Sequence, residues 1–240
     1  MKDWKEAYRL AMFEIKKSKW SFPISFVVFV LIGLSIGSLL GDYLDNSYVG
    51  PDFIFVLLFT FMPAWAKPKD FQIKQLNGGM WVPPPVIMLK QLPVKENVLI
   101  KSRFIIYYIF SLPIQVVFLL ILYASSPGLR DVLPPGSYVA FSIIWLAFSF
   151  YIGGILPASD AGTITNTGMV TLYGIMILLG FITVLTFIHM ITGQGIVYWT
   201  VIVAEKWSIV SSVISIILAF FGATYWRHNM RQTIRKMDYL

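Results

Sequence analysis

Two histidines, twelve Asp or Glu and no cysteine make up the groups in this 240-residue chain that could act as ligands, bases or anionic nucleophiles. Without a thiol there is no disulfide, no Cys-bound zinc and no thiol catalysis. His189 and His228 fall at opposite ends of the topology derived below. They cannot share a metal within one subunit, and His189 is expected as a hydrogen-bonded residue near the membrane interface. Asp42, Asp45, Asp52, Asp131 and Glu205 lie between apolar runs and read as solvated loop charge, not as an acid–base cluster. No GxxxxGK[ST], HExxH or GxSxG pattern occurs, so neither a P-loop nor those two catalytic signatures belong to this chain. No catalytic residue, metal or bound cofactor is expected.

The stretch that does stand out is Leu92 to Pro113, LPVKENVLIKSRFIIYYIFSLP. Pro93 suits the first turn of a helix and is followed by Lys95, Glu96 and Asn97. At Lys101 and Arg103 the segment passes directly into an uncharged apolar run. Such a segment sits half in water and half in lipid, with the two cations at the boundary.

The elements that must hold this stretch are membrane helices. The chain is 57% hydrophobic and 13% charged, with a mean hydropathy of +0.73, against about 25% charged residues in ordinary soluble domains. The expected fold class is all-α integral membrane. A bilayer core of about 30 Å needs roughly 20 helical residues, and the apolar runs give six spans at about 20–40, 53–66, 104–124, 138–156, 169–190 and 207–224. Residues 1–19 predict an amphipathic interfacial helix in which Trp4, Tyr8, Ala11 and Ile15 recur near helical spacing. The first span, opening at Trp20, carries Gly33, Gly37 and Gly41 on one face, a surface for close helix packing and a candidate dimer contact. Pro63 is placed to break the inner end of the short second span, and Pro113 to kink the third. Lys69, Asp70, Gly78-Gly79 and Pro83-Pro84-Pro85 lie in a long polar loop, expected as turns and extended chain before a short helix at about 93–102. Residues 191–206 are too apolar for a plain loop and predict a partial re-entrant segment on the outer side.

Charge fixes the expected orientation. Six Lys or Arg lie in 1–19, seven in 67–103 and four in the tail 225–240, leaving only Arg130 and Lys206 on the other side. The positive-inside rule then puts both termini in the cytoplasm, in a multi-pass cell-membrane protein. The formal net charge of +7 reflects loops beside anionic lipid, with Arg227, Arg231 and Arg235 as a stripe towards headgroups; nucleic acid is not an expected partner. The six apolar cores contain no Asp, Glu, Lys or Arg, so an ion-coupled carrier or channel has no charges to work with. Aromatic residues stand there instead, among them Phe110, Phe118, Trp145, Phe148 and Tyr151, a set suited to an apolar or amphipathic cargo.

Leu92-Pro93, Val98, Lys101-Ser102-Arg103, Tyr107-Tyr108 and Leu112-Pro113, set in this six-span topology, resemble the ABC-2 type membrane subunits of ATP-binding-cassette exporters. The likeness in motif covers about 25 residues. It implies a coupling helix formed by Leu92, Pro93, Val94, Lys95, Glu96 and Val98, with Lys101 and Arg103 at its membrane end, on which a separate cytoplasmic ATPase docks. ATP and Mg would be bound by that partner alone. It also implies a second membrane subunit, identical or homologous, and export of an amphipathic or hydrophobic substrate, an antimicrobial peptide before others. A membrane-embedded enzyme and a non-transporting sensor or regulatory partner stay open as alternatives.

Overall fold

Charge and apolarity in the sequence separate cleanly along the helices of the folded chain. A computed structural model describes residues 2–17, 21–46, 48–67, 71–76 and 79–237; Trp20, Lys69, Asp70 and Gly78 lie outside the described residues. In chain order the elements are α1 (Lys2–Lys17), α2 (Ser21–Asn46), α3 (Gly50–Ala66), β1 (Lys74–Leu76), β2 (Met80–Val82), α4 (Pro84–Gln91), α5 (Glu96–Ser125), α6 (Pro127–Val132), α7 (Pro135–Ile152), α8 (Ile155–Ser159), β3 (Thr163–Ile164), α9 (Thr167–Thr192), α10 (Ile196–Lys206) and α11 (Ser208–Lys236). Five stretches are long and apolar enough to cross a membrane: α2, α5, α7 with α8, α9 and α11. The chain is therefore an α-helical membrane protein of several passes. The apolar part of α3, Gly50–Phe61, is shorter than those five, and α3 continues past position 63 to Ala66.

Packing explains why α3 can be short. Phe55, Val56, Leu58 and Phe59 are all buried inside the bundle, so one face of that helix is covered by protein rather than lipid. Phe55 meets Trp145 of α7 with ring centroids 4.9 Å apart, and Phe59 meets Phe118 of α5 at 5.9 Å. Edge-to-face contacts of this kind add to the area such rings bury. Phe118 (1% exposed) and Trp145 (2%) thus fill the core of one chain instead of lining an open path. Phe148 packs on Trp145 at 5.5 Å, and Tyr151 lies against Gly222 of α11.

The glycine face of α2 packs as expected, but within the chain. A Cβ at Gly37 would fall on the Ser125 side chain, one at Gly33 would stand 3.3 Å from Phe118 and Ile121, and one at Gly128 of α6 would stand 3.2 Å from the Gly41 Cα. This face is occupied by α5 and α6, which removes it as a dimer contact.

The long polar loop is more ordered than turns alone. β1 and β2 form an antiparallel hairpin (Lys74↔Val82, Leu76↔Met80) closed through Gly79 at φ +75°, a conformation glycine adopts without a Cβ penalty. β3 adds on the far side of β2, with Met80↔Ile164 and Trp81↔Thr163. Three-residue strands carry too little alternation to be seen in a sequence. The sheet joins the loop after α3 to the loop after α8. Lys67 at the end of α3 ties the same two loops by bonding both oxygens of Asp160, at 2.8 and 2.7 Å.

At the opposite end α10 folds as a short helix, in the segment expected to be re-entrant. Its first turn is held by Asp52, which accepts from the Val197 N–H at 2.7 Å and from the Tyr43 hydroxyl at 2.8 Å. A carboxylate at a helix N-terminus satisfies an orphan donor and complements the helix dipole. Asp52 is 1% exposed, so it is a structural cap and not solvated loop charge. Asp42, Asp45, Asp131 and Glu205 are exposed as expected. His189 stands in the last turn of α9, and its Nδ1 is buried with no hydrogen-bond partner among the described residues.

Candidate functional site

The site is the polar end of α5, where the peculiar stretch of the sequence falls. Pro93 lacks an amide donor and disfavours helix in the residue before it, so α4 stops at Gln91. Leu92 and Lys95 are extended, and the Val94 N–H donates to the Leu92 carbonyl at 2.7 Å. Helix α5 then runs from Glu96 to Ser125 with Pro113 inside it. The short helix expected over 93–102 is therefore not a separate element: residues 92–95 are a turn, and the polar start and the apolar run are one rod. The separate short helix lies upstream, at α4.

Side-chain exposure divides the sequence-predicted residues into two groups. Leu92 is 55% exposed, Pro93 and Lys95 are exposed beside it, and Met88 of α4 is 65% exposed. Together they form a small apolar knob with a cation. Val98, by contrast, is 2% exposed, and Leu99, Ile100 and Phe104 pack with Val82, Val86, Met230 and Ile234. Val98 cannot contact a docked partner directly. Glu96 is held by Arg235 of α11 at 3.3 Å, and Asn97 accepts from Arg231 at 2.7 Å. The basic tail thus grips the start of α5, so Glu96 already has a cationic partner within the chain and two of the three stripe arginines already have polar ones.

Arg103 is the most deeply placed of these residues. It is 1% exposed, Nη1 donates to Glu14 Oε2 at 3.0 Å, and Nη2 donates to Glu14 Oε1. A guanidinium meets a carboxylate in this two-bond geometry with a fork that a lysine ammonium does not have. Glu14 comes from α1, whose buried face is Ala7, Ala11 and Glu14, while Trp4 and Tyr8 are about half exposed. The buried face is thus rotated from the Trp4–Tyr8–Ala11–Ile15 line that spacing suggested. Lys101 stands 4.8 Å from the Trp4 ring centroid, and Lys95 reaches Asp3 at 3.5 Å. Through these three contacts α1 and the head of α5 act as one body.

Beside them is a cavity of about 330 Å³, lined by Lys67, Arg103, Ile106, Tyr107, Phe110 and Asp160 among others. Its apolar wall ends on two ion pairs, and Arg103 Nε has no hydrogen-bond partner among the described residues. Of the aromatic set, Phe110 lines this space. The Glu14–Arg103 and Lys67–Asp160 pairs escape sequence reasoning because their partners lie 89 and 93 residues apart. The one local signal is Glu14, an acid on the face that also carries Ala7 and Ala11. Comparison with family models, curated proteins and solved structures finds no match to this chain.

Proposed function

We propose that this chain is the membrane-spanning permease subunit of an exporter of the ABC-2 type, driven by ATP and Mg bound on a separate cytoplasmic ATPase. In this reading α3 is the sixth span, α10 is the outer re-entrant element, and both termini face the cytoplasm. The observation that carries it is the exposed Leu92–Lys95 turn set on the end of a 30-residue helix, with α1 fixed to that helix by a buried ion pair. A push on the turn would be transmitted along a rigid rod into the bundle, because packed helices move as units. Clustering of the cationic segments supports the orientation: α1, the sheet loop and the tail meet around the head of α5, while Arg130 lies in the short helix α6 and Lys206 ends α10.

The cargo in this reading is amphipathic or hydrophobic, with a peptide first, and the cavity with Phe110 on its wall and Arg103 at its polar end suits such a molecule. A second membrane subunit belongs to the same reading. With the α2 glycine face used internally, the available surface is α9, whose only buried residue within the chain is Leu185. The test is purification of the tagged full chain in mild detergent from its native cell. An ATPase bearing a P-loop should co-purify in near-stoichiometric amount and hydrolyse ATP faster with the chain than without it. Its reproducible absence, with the chain folded and monodisperse, would favour the enzyme or sensor alternatives.

A further inference from the structure

A second groove, apart from the ion-paired cavity, lies between α1, α5, α7 and α11. Its volume is about 380 Å³, and its walls include Phe104, Tyr108, Phe150 and Phe220, with Lys101 and Arg227 also lining it. Both walls have the same layout. On α5 the chain passes from Lys101 to Tyr108, and on α11 from Arg227 back to Phe220, each about two helical turns or roughly 10 Å. The cations, with Trp4 beside Lys101, therefore mark one end of the groove, and Tyr108 and Phe220 the other. Phe220 is 66% exposed, so the apolar end opens sideways from the bundle.

The two cations are uncompensated. Neither Lys101 nor Arg227 forms an ion pair among the described residues; Lys101 lies over the Trp4 ring, and Arg227 Nε donates to the Ala223 carbonyl at 2.9 Å on its own helix. Three carboxylates of α1 and α5 are occupied elsewhere, Asp3 by Lys95, Glu96 by Arg235 and Glu14 by Arg103. Of the stripe on α11, Arg231 and Arg235 are turned to Asn97 and Glu96, which leaves Arg227 for a ligand. A free phosphate would answer the charges and leave the apolar walls bare. A neutral lipid would fill the walls and leave the charges bare. We infer that this groove binds one anionic phospholipid, its phosphate between Lys101 and Arg227 and an acyl chain along Tyr108, Phe150 and Phe220. Two cations at a lipid headgroup and burial of methylenes both favour such a ligand.

The experiment is native mass spectrometry of the full chain released from detergent containing phosphatidylglycerol, phosphatidylcholine or inorganic phosphate. Wild type should retain one phosphatidylglycerol, and K101Q with R227Q together should weaken retention on the order of tenfold. Phosphatidylcholine should be retained no better by wild type than by that variant, and millimolar phosphate should not displace the bound lipid. A second variant, Ala219→Phe, fills the groove and leaves both charges; it should also lose the lipid. Ala219 lines the same space. Arg130→Gln with Lys206→Gln, at the other end of the bundle, should retain it. Equal retention of both lipids, unchanged retention in the two groove variants, or displacement by phosphate would overturn the inference, the last by reducing the site to one for small anions.

Discussion

Replacing Glu14 with alanine should destabilise the chain by about 3–5 kcal/mol, the cost of leaving one member of a buried ion pair uncompensated. Arg103 is 1% exposed and is anchored by Glu14 through two bonds. Without that carboxylate a full positive charge faces the protein interior, and no second acid is paired with it among the described residues. The double replacement Glu14→Leu with Arg103→Met should recover most of the loss, since apolar side chains of similar size often substitute for a buried pair without penalty. Lys95→Ala breaks only the exposed Lys95–Asp3 contact, 3.5 Å long with the lysine side chain 68% exposed, and should cost less than about 1 kcal/mol. Thermal or denaturant unfolding in detergent, followed by tryptophan fluorescence, measures all three. If Glu14→Ala unfolded together with Lys95→Ala, α1 would not be fastened to α5 by this pair.

On the proposed function, Leu92→Glu combined with Pro93→Ala should abolish coupling to the ATPase while leaving the chain inserted and folded. Transport should fall at least tenfold, and stimulation of the partner ATPase should be lost with it. Both residues are exposed on the turn, so their replacement removes no core packing. Val98→Ala separates the two effects. That side chain is 2% exposed, and deleting two buried methyl groups should cost roughly 2 kcal/mol of stability with coupling kept in the folded fraction. Loss of coupling in Val98→Ala alone, with Leu92 and Pro93 tolerant, would move the contact away from the turn.

Apolar runs made the long helices legible because lipid leaves a helix no other way to satisfy its backbone. They said less about where a run begins. In α5 the polar head and the apolar body look like two elements in the sequence, yet Glu96 to Ser125 is one helix, since nothing between Asn97 and Arg103 interrupts the hydrogen-bond ladder. The spacing of Gly33, Gly37 and Gly41 identified a packing face, but periodicity does not say what covers it, and here α5 and α6 do. The same limit applies to Glu96 and the α11 arginines, whose partners are each other and Asn97. Lys101 and Arg103 both suggested a membrane boundary. Only three-dimensional packing separates them, one over a tryptophan at a groove and the other buried against Glu14.

The absence of cysteine from the sequence makes one measurement direct. A chain with Leu92→Cys as its single thiol would be treated in inverted and right-side-out vesicles with an impermeant maleimide, then with a short thiol-to-amine cross-linker in the active complex. The account predicts labelling in inverted vesicles alone and a cross-link from position 92 to a P-loop ATPase. Labelling from the outer face, or a complex that transports its cargo with position 92 free of any partner, would contradict it.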